Sequence, residues 1–149
     1  MRVVIQKVLK ASVEVDGSVV ANIKNGLLVF LGITHDDDEN DSKYIINKII
    51  NLRVFLDENG VMNKSVLDVD GQILIVSQFT LYGDCKKGNR PSYQQALEPE
   101  KAKVFYEKFV DLLKKSLGKT ESGIFGASMK VQLVNDGPVT ILLSSKKVF

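Results

Sequence analysis

The chain has one histidine, one cysteine and no tryptophan in 149 residues. A Ser-His-Asp triad would have to use His35, and nothing in the sequence places it near Ser77. A zinc site of the usual type needs three or four His, Cys or carboxylate ligands, more than one His and one Cys readily supply. The acidic run Asp36 to Glu39 lacks the glycine and the closing glutamate of a calcium loop. No Walker or dinucleotide-binding glycine motif occurs. Cys85 has no partner for an internal disulfide, and its motif holds no base that would make it a nucleophile. No apolar run approaches the ~18 residues of a membrane span. The opening Met1-Arg2-Val3-Val4-Ile5-Gln6 enters a strand-like pattern directly, without the apolar core and cleavage site of a secretion signal. The expectation is a cytoplasmic protein off the membrane, with no metal and no cofactor.

What is present suits an ordinary soluble fold. A chain of this length fits a single domain, residues 1–149, with a real core. Two strands are expected at Val3 to Val8 and Ala11 to Val15. Asp16-Gly17 signals a hairpin into Ser18 to Ile23, and Asn25-Gly26 a second hairpin into Leu27 to Ile33. Asp37 or Asp38 should cap a helix whose apolar face carries Tyr44, Ile45, Ile49 and Leu52. A short strand at Arg53 to Leu56 follows, then Gln72 to Phe79, apolar on both faces. Pro99 suits the first turn of a second helix, with Val104, Phe105, Phe109, Leu112, Leu113 and Leu117 facing inward and Gly118 as its stop. The last strands are Gly123 to Phe125, Lys130 to Val134 and Val139 to Leu143. The pattern predicts an α+β fold, an antiparallel-rich and barrel-like sheet covered by two main helices.

Two stretches carry the chemistry. In Ser77-Gln78-Phe79-Thr80-Leu81-Tyr82-Gly83-Asp84, hydroxyls and an amide follow an apolar strand. Small neutral donors of this kind suit an oxyanion hole, and they equally suit the cap of a strand end. In Asn135-Asp136-Gly137-Pro138-Val139-Thr140, Gly137 permits a backbone closed to other residues and Pro138 fixes φ; an ordinary turn between strands is the plain alternative. Two such corners in a small chain suggest one composite site. Lys86, Lys87 and Arg90 follow the first corner in a glycine-containing loop that could contact phosphates. The lysines of the second helix read as a solvated face.

These motifs resemble the D-aminoacyl-tRNA deacylase (D-tyrosyl-tRNA deacylase) family over essentially the whole chain. SQFTLYGD and NDGPVT carry the likeness, with the GLLVFLGI strand, the VFLDENGVMNKSV segment and the GNRPSY loop in support. The resemblance implies that family's fold and hydrolysis of the ester of D-aminoacyl-tRNA, and of Gly-tRNA(Ala), as proofreading in translation. It implies a homodimer whose Gly137-Pro138 is cis and enters the partner's pocket to exclude L side chains. Ser77, Gln78, Phe79 and Thr80 would then line the ester as catalytic residues, with Lys86, Lys87 and Arg90 on tRNA. Lys7 stands where many bacterial members carry Arg, a basic residue that steadies the Gly-Pro loop. Two rivals share these residues: a non-catalytic tRNA-binding dimer, and a relative with a trans Gly-Pro acting on L-aminoacyl-tRNA. The side-chain preference, the tRNA preference and the roles of Thr80 and Cys85 stay open at this stage.

Overall fold

A computed structural model describes residues 1–148. Strand β1, Arg2–Val15, is the axis of the sheet. On one side it pairs antiparallel with β3 (Gly26–Gly32) through its first half and with β2 (Ser18–Ile23) through its second. On its other side it pairs along its length with β8, Lys130–Ser144. Beyond β3 the sheet continues in parallel through β6 (Gln72–Ser77) to β7 (Thr120–Ser122). The two parallel steps are made by helices: α1 (Glu39–Asn51) lies between β3 and β6, and α2 (Pro99–Ser116) between β6 and β7. Strands β4 (Phe55–Leu56) and β5 (Met62–Lys64) form a separate hairpin.

The side-chain pattern explains the curl of this sheet. Leu27, Val29, Leu31, Ile73 and Ile75 face the helices, packing on Ile45, Ile49, Phe109 and Leu113. Leu28, Leu74 and Val76 face the other way, onto Val8, Ala11, Val13, Ala21 and Ile23. Strands β3 and β6 therefore bury both faces, as a nearly continuous apolar run requires. The second cover comes from β2 and the far half of β1, which fold back over the sheet. Alternation in β1 breaks where Lys7 and Val8 are both buried and Leu9 and Lys10 are both exposed. The result is a near-barrel of strands with two helices on one side.

Several expectations shift in detail. The two strands expected at the N-terminus are one, and so are the last two. Asp38, not Asp37, caps α1, its carboxylate accepting from the Asn40 and Asp41 N–H groups at 2.8 and 3.0 Å. Asp37 instead pairs with the Met1 ammonium. Asp16 and Gly17 both take positive φ, 50° and 80°, as the first hairpin requires. Gly26 does not; a Cβ there would lie 1.9 Å from the Gln72 carbonyl oxygen, so this glycine serves close strand approach. Val104 is 52% exposed rather than inward, and Tyr106 takes a core position on α2 instead. Gly118 follows α2 without a left-handed backbone, and the last parallel strand is Thr120–Ser122 rather than Gly123 to Phe125. The hairpin partner Met62–Lys64 has too few residues to show a period.

Candidate active site

The first corner is built at the carboxyl ends of the parallel strands β3 and β6, where such sheets open. β6 ends at Ser77, level with Leu31 of β3, and the Gln78 N–H donates to the Leu31 carbonyl at 2.7 Å. The chain then makes one 3₁₀ turn, Phe79–Tyr82. Gly32 lets that turn sit close, since a Cβ there would lie 3.1 Å from the Gln78 carbonyl and from Leu81 Cβ. Arg2 clamps the turn from β1, donating to the Leu81 carbonyl at 2.9 Å with its guanidinium 4.5 Å from the centre of the Tyr82 ring. Tyr82 is buried, and desolvation pushes its phenol above the usual range.

Beside the turn lies a cavity of about 700 Å³. Ser77, Gln78 and Phe79 line it, opposite Phe125, Met129 and Val131. Thr80 is not in the lining; its hydroxyl accepts from Gln78 Nε2. The N–H groups of Phe79 and Thr80 begin the 3₁₀ turn and have no acceptor among the described residues. One wall is the segment from Tyr93 to Pro99. It is tied to the end of β3 by the Leu97 N–H to the Ile33 carbonyl at 2.9 Å and by the Thr34 hydroxyl to the Gln95 carbonyl at 2.5 Å. His35 belongs to this tie, with Nε2 3.0 Å from the Gln94 carbonyl and Nδ1 3.8 Å from the Glu98 carboxylate. Glu98, on the cavity wall, is held below the usual carboxylate range by its own backbone N–H, with Lys101 and His35 adding. Sequence reading missed this wall and Phe125, because they reach the site from distant segments.

The second corner has a different construction. It is a bulge inside a continuous strand, not a turn between two. Gln6 faces Thr140 and Val8 faces Asn135, so Asp136 to Val139 stand opposite the single residue Lys7. The surplus residues leave the sheet, and Gly137 and Pro138 are exposed. Asn135 spans the neck, donating from Nδ2 to the Lys7 carbonyl at 2.9 Å and the Val139 carbonyl at 3.0 Å. Lys7, only 8% exposed, pairs with Asp136 at 2.8 Å. Gly137 has φ 118°, and the Gly137–Pro138 peptide is cis.

The two corners do not meet within one chain. Gly137 and Pro138 are absent from the cavity lining. From Ser77 the path crosses β3 and β1 to β8, and Lys7 lies four positions along β1 from Val3, the residue level with Leu31. The β8 residue that reaches the cavity is Val131, opposite Val13, and not the bulge opposite Lys7. The third cluster does meet the first: Asp84 and Ser92 exchange backbone hydrogen bonds at 2.8 and 2.9 Å, closing a loop that holds Lys86, Lys87 and Arg90 on the surface. None of the three cations has an ion-pair partner among the described residues. The described residues hold no cluster of His, Cys, Asp and Glu suited to a metal ion, and no helix long and apolar enough to cross a membrane.

A sequence model of the family D-Tyr-tRNA(Tyr) deacylase matches residues 4–144. A protein of Thermosipho africanus (strain TCF52B) named D-aminoacyl-tRNA deacylase is 61% identical over 149 residues, covering all of both chains. One of the same name from Clostridium botulinum (strain Langeland / NCTC 10281 / Type F) is 58% identical, again over the full length of both. Among solved structures, a c-Myc DNA Unwinding Element Binding Protein superposes with TM-score 0.92 at 44% identity, covering 97% of this chain and 98% of that one. A probable eukaryotic D-amino acid tRNA deacylase superposes with TM-score 0.81 at 17% identity, covering 95% and 97%, which shows a shared fold.

Proposed function

This chain belongs to the D-Tyr-tRNA(Tyr) deacylase family, and we infer that it hydrolyses the ester joining a D-amino acid to the 3′-terminal ribose of tRNA. Water adds to the ester carbonyl, the carbonyl oxygen takes the negative charge, and the bond to the ribose oxygen breaks with a proton passing to that oxygen. The products are the free D-amino acid and tRNA. The observation that carries the site assignment is the juxtaposition of Ser77, Gln78 and Phe79 with a largely apolar cavity and two unused N–H groups. An aminoacyl ester is already activated, so orientation and oxyanion stabilisation suffice. The N–H groups of Phe79 and Thr80 are the oxyanion donors in this reading.

No base stands ready to activate the Thr80 hydroxyl, whose hydrogen-bond partner is the Gln78 amide. Water attack assisted by the RNA 2′-OH fits the site better than a Thr80 nucleophile. Thr80→Ala should then keep deacylation within about threefold of wild type; an acyl-Thr80 adduct trapped by acid quench would refute water attack.

The chiral filter is the second corner, supplied by a second copy of the chain. Its separation from the cavity within one chain, its exposure and its bracing by Lys7 and Asn135 support a homodimer in which Gly137 and Pro138 enter the partner's pocket. Rejecting L side chains by lack of room leaves D side chains of many kinds, and glycine on tRNA(Ala), acceptable. Lys86, Lys87 and Arg90 contact tRNA phosphates. One core joins strands from both ends of the chain to both helices, in keeping with a single domain over 1–149. In this reading the protein acts on charged tRNA, alongside translation in the cytoplasm.

A binding protein without activity is the second reading, favoured by the basic loop and by the solitary histidine. Deacylation of D-tyrosyl-tRNA and L-tyrosyl-tRNA, side by side with catalytic amounts of protein, separates the readings. Rapid loss of the D ester alone is expected. Loss of both would remove the chiral filter, and loss of neither would leave a binding protein.

A further inference from the structure

Phe79 and Tyr93 are the exposed aromatic residues of the described chain, 58% and 39% accessible; the other aromatic rings are buried or half-buried. They touch each other, edge to face, with ring centroids 5.0 Å apart and planes at 71°. Both border the cavity. Gly83 makes room for the Tyr93 ring, since a Cβ there would come within 3.2 Å of the ring carbon Cε1. The Tyr93 hydroxyl has no partner among the described residues. Tyr93 also follows Ser92, which closes the loop carrying Lys86, Lys87 and Arg90.

Exposed rings at the rim of a cavity offer stacking faces to a planar ligand. Aromatic rings beside unpaired cations are the composition that holds single-stranded nucleic acid, with rings stacking bases and cations meeting phosphates. We propose that Tyr93, backed by Phe79, is a stacking platform for an unpaired nucleobase of the RNA 3′ end, set between the ester cavity and the phosphate-binding loop. The proposal rests on the tRNA-ester reading and adds a binding residue and a ligand class to it. The base taken is the one preceding the terminal nucleoside, because the cavity holds the nucleoside that carries the ester and Tyr93 lies on the side of the basic loop.

The test compares D-tyrosyl-tRNA with D-tyrosyl-adenosine, which ends where the preceding base would begin. Wild type should favour the tRNA ester. Tyr93→Ala and Tyr93→Leu should each lower that preference roughly tenfold, through KM for the tRNA ester, while Tyr93→Phe and Tyr93→Trp should hold it within about twofold. Leu keeps apolar packing without a stacking face, so a Leu variant with wild-type preference overturns the platform. Equal loss on both esters also overturns it, since that is the mark of a distorted cavity. If wild type cleaves neither ester, the deacylase reading fails by itself. Binding of an RNA oligonucleotide carrying the unpaired 3′ end of tRNA then decides the platform: a tenfold weaker Kd for Tyr93→Leu, with Tyr93→Trp unchanged, supports it, and equal Kd values refute it.

Discussion

The two corners of this molecule place small polar and backbone-flexible residues at the surface by opposite means. The corner at Ser77 to Tyr82 grows from β6, a strand buried on both faces, and is clamped by Arg2 from β1. The corner at Asp136 to Val139 bulges from β8, whose other long edge pairs with no strand among the described residues. The first borders a cavity of about 700 Å³; Gly137 and Pro138 do not line it. The first is rigid by burial. The second is exposed and is stiffened locally, by one ion pair and one asparagine side chain.

The sharpest way to break the comparison is Gly137→Ala. Its Cβ would meet Val139 Cγ2 at 2.8 Å, at a φ of 118° that L side chains rarely adopt. The bulge must then change shape. Discrimination between D- and L-tyrosyl-tRNA should fall about 100-fold, as expected for a misplaced positioning group. Binding of short RNA at the first corner should hold.

Next comes Asp136→Ala, which leaves the nearly buried Lys7 ammonium without its partner. Loss of about 2–3 kcal/mol is expected in urea unfolding, below the range for fully buried pairs because Asp136 is partly exposed. Discrimination between the two esters should weaken with it. Lys7→Arg, which can still reach Asp136, should keep both near wild type; equal damage from Lys7→Arg would show that the ammonium itself is required.

Asp41, in the first turn of α1, provides a control outside the cavity lining. Burial raises its carboxyl, but hydrogen bonds from Ser145, the Asp38 N–H and Lys146 outweigh that and hold it at about 2. The unfolded value is ~3.9, so the folded value is the lower one. Its contribution, about 2 kcal/mol, is complete above the unfolded value and lost as pH falls through the folded one. Thermal unfolding followed between pH 5 and 2 should show this loss, and Lys146→Ala should reduce it. Neither change should alter the D/L ratio at neutral pH. The smallest effect is on salt dependence. Replacing Lys86, Lys87 and Arg90 with Ala should flatten the slope of log K against log salt for tRNA by up to ~2. An unchanged slope would take phosphate contact away from this loop.

Much of the fold was legible because its signals are local. The Asp16-Gly17 hairpin, an acidic α1 cap at Asp37 or Asp38, Pro99 at the start of α2 and the two-sided apolar run of β6 each declare themselves within a few residues. The misses are long-range. Val104 shares helical spacing with the core residues of α2 yet faces solvent, because the sheet beneath sets which arc of the helix is covered. The cavity wall from Tyr93 to Pro99 has no regular period, and it becomes a wall only through bonds to Ile33, Thr34 and His35.

The sequence alone determined the residue types at both corners, the single histidine, and the alternation that makes a sheet with two helices. Tertiary structure alone decided that Asp136 to Val139 stand opposite Lys7, that Gly137 and Pro138 stay out of the cavity lined by Ser77, and that two exposed rings meet beside a basic loop. The reason is register. Pairing residue 7 with residues near 136 is set by the packing of whole strands against a shared core, and no neighbouring residue in the chain carries that information.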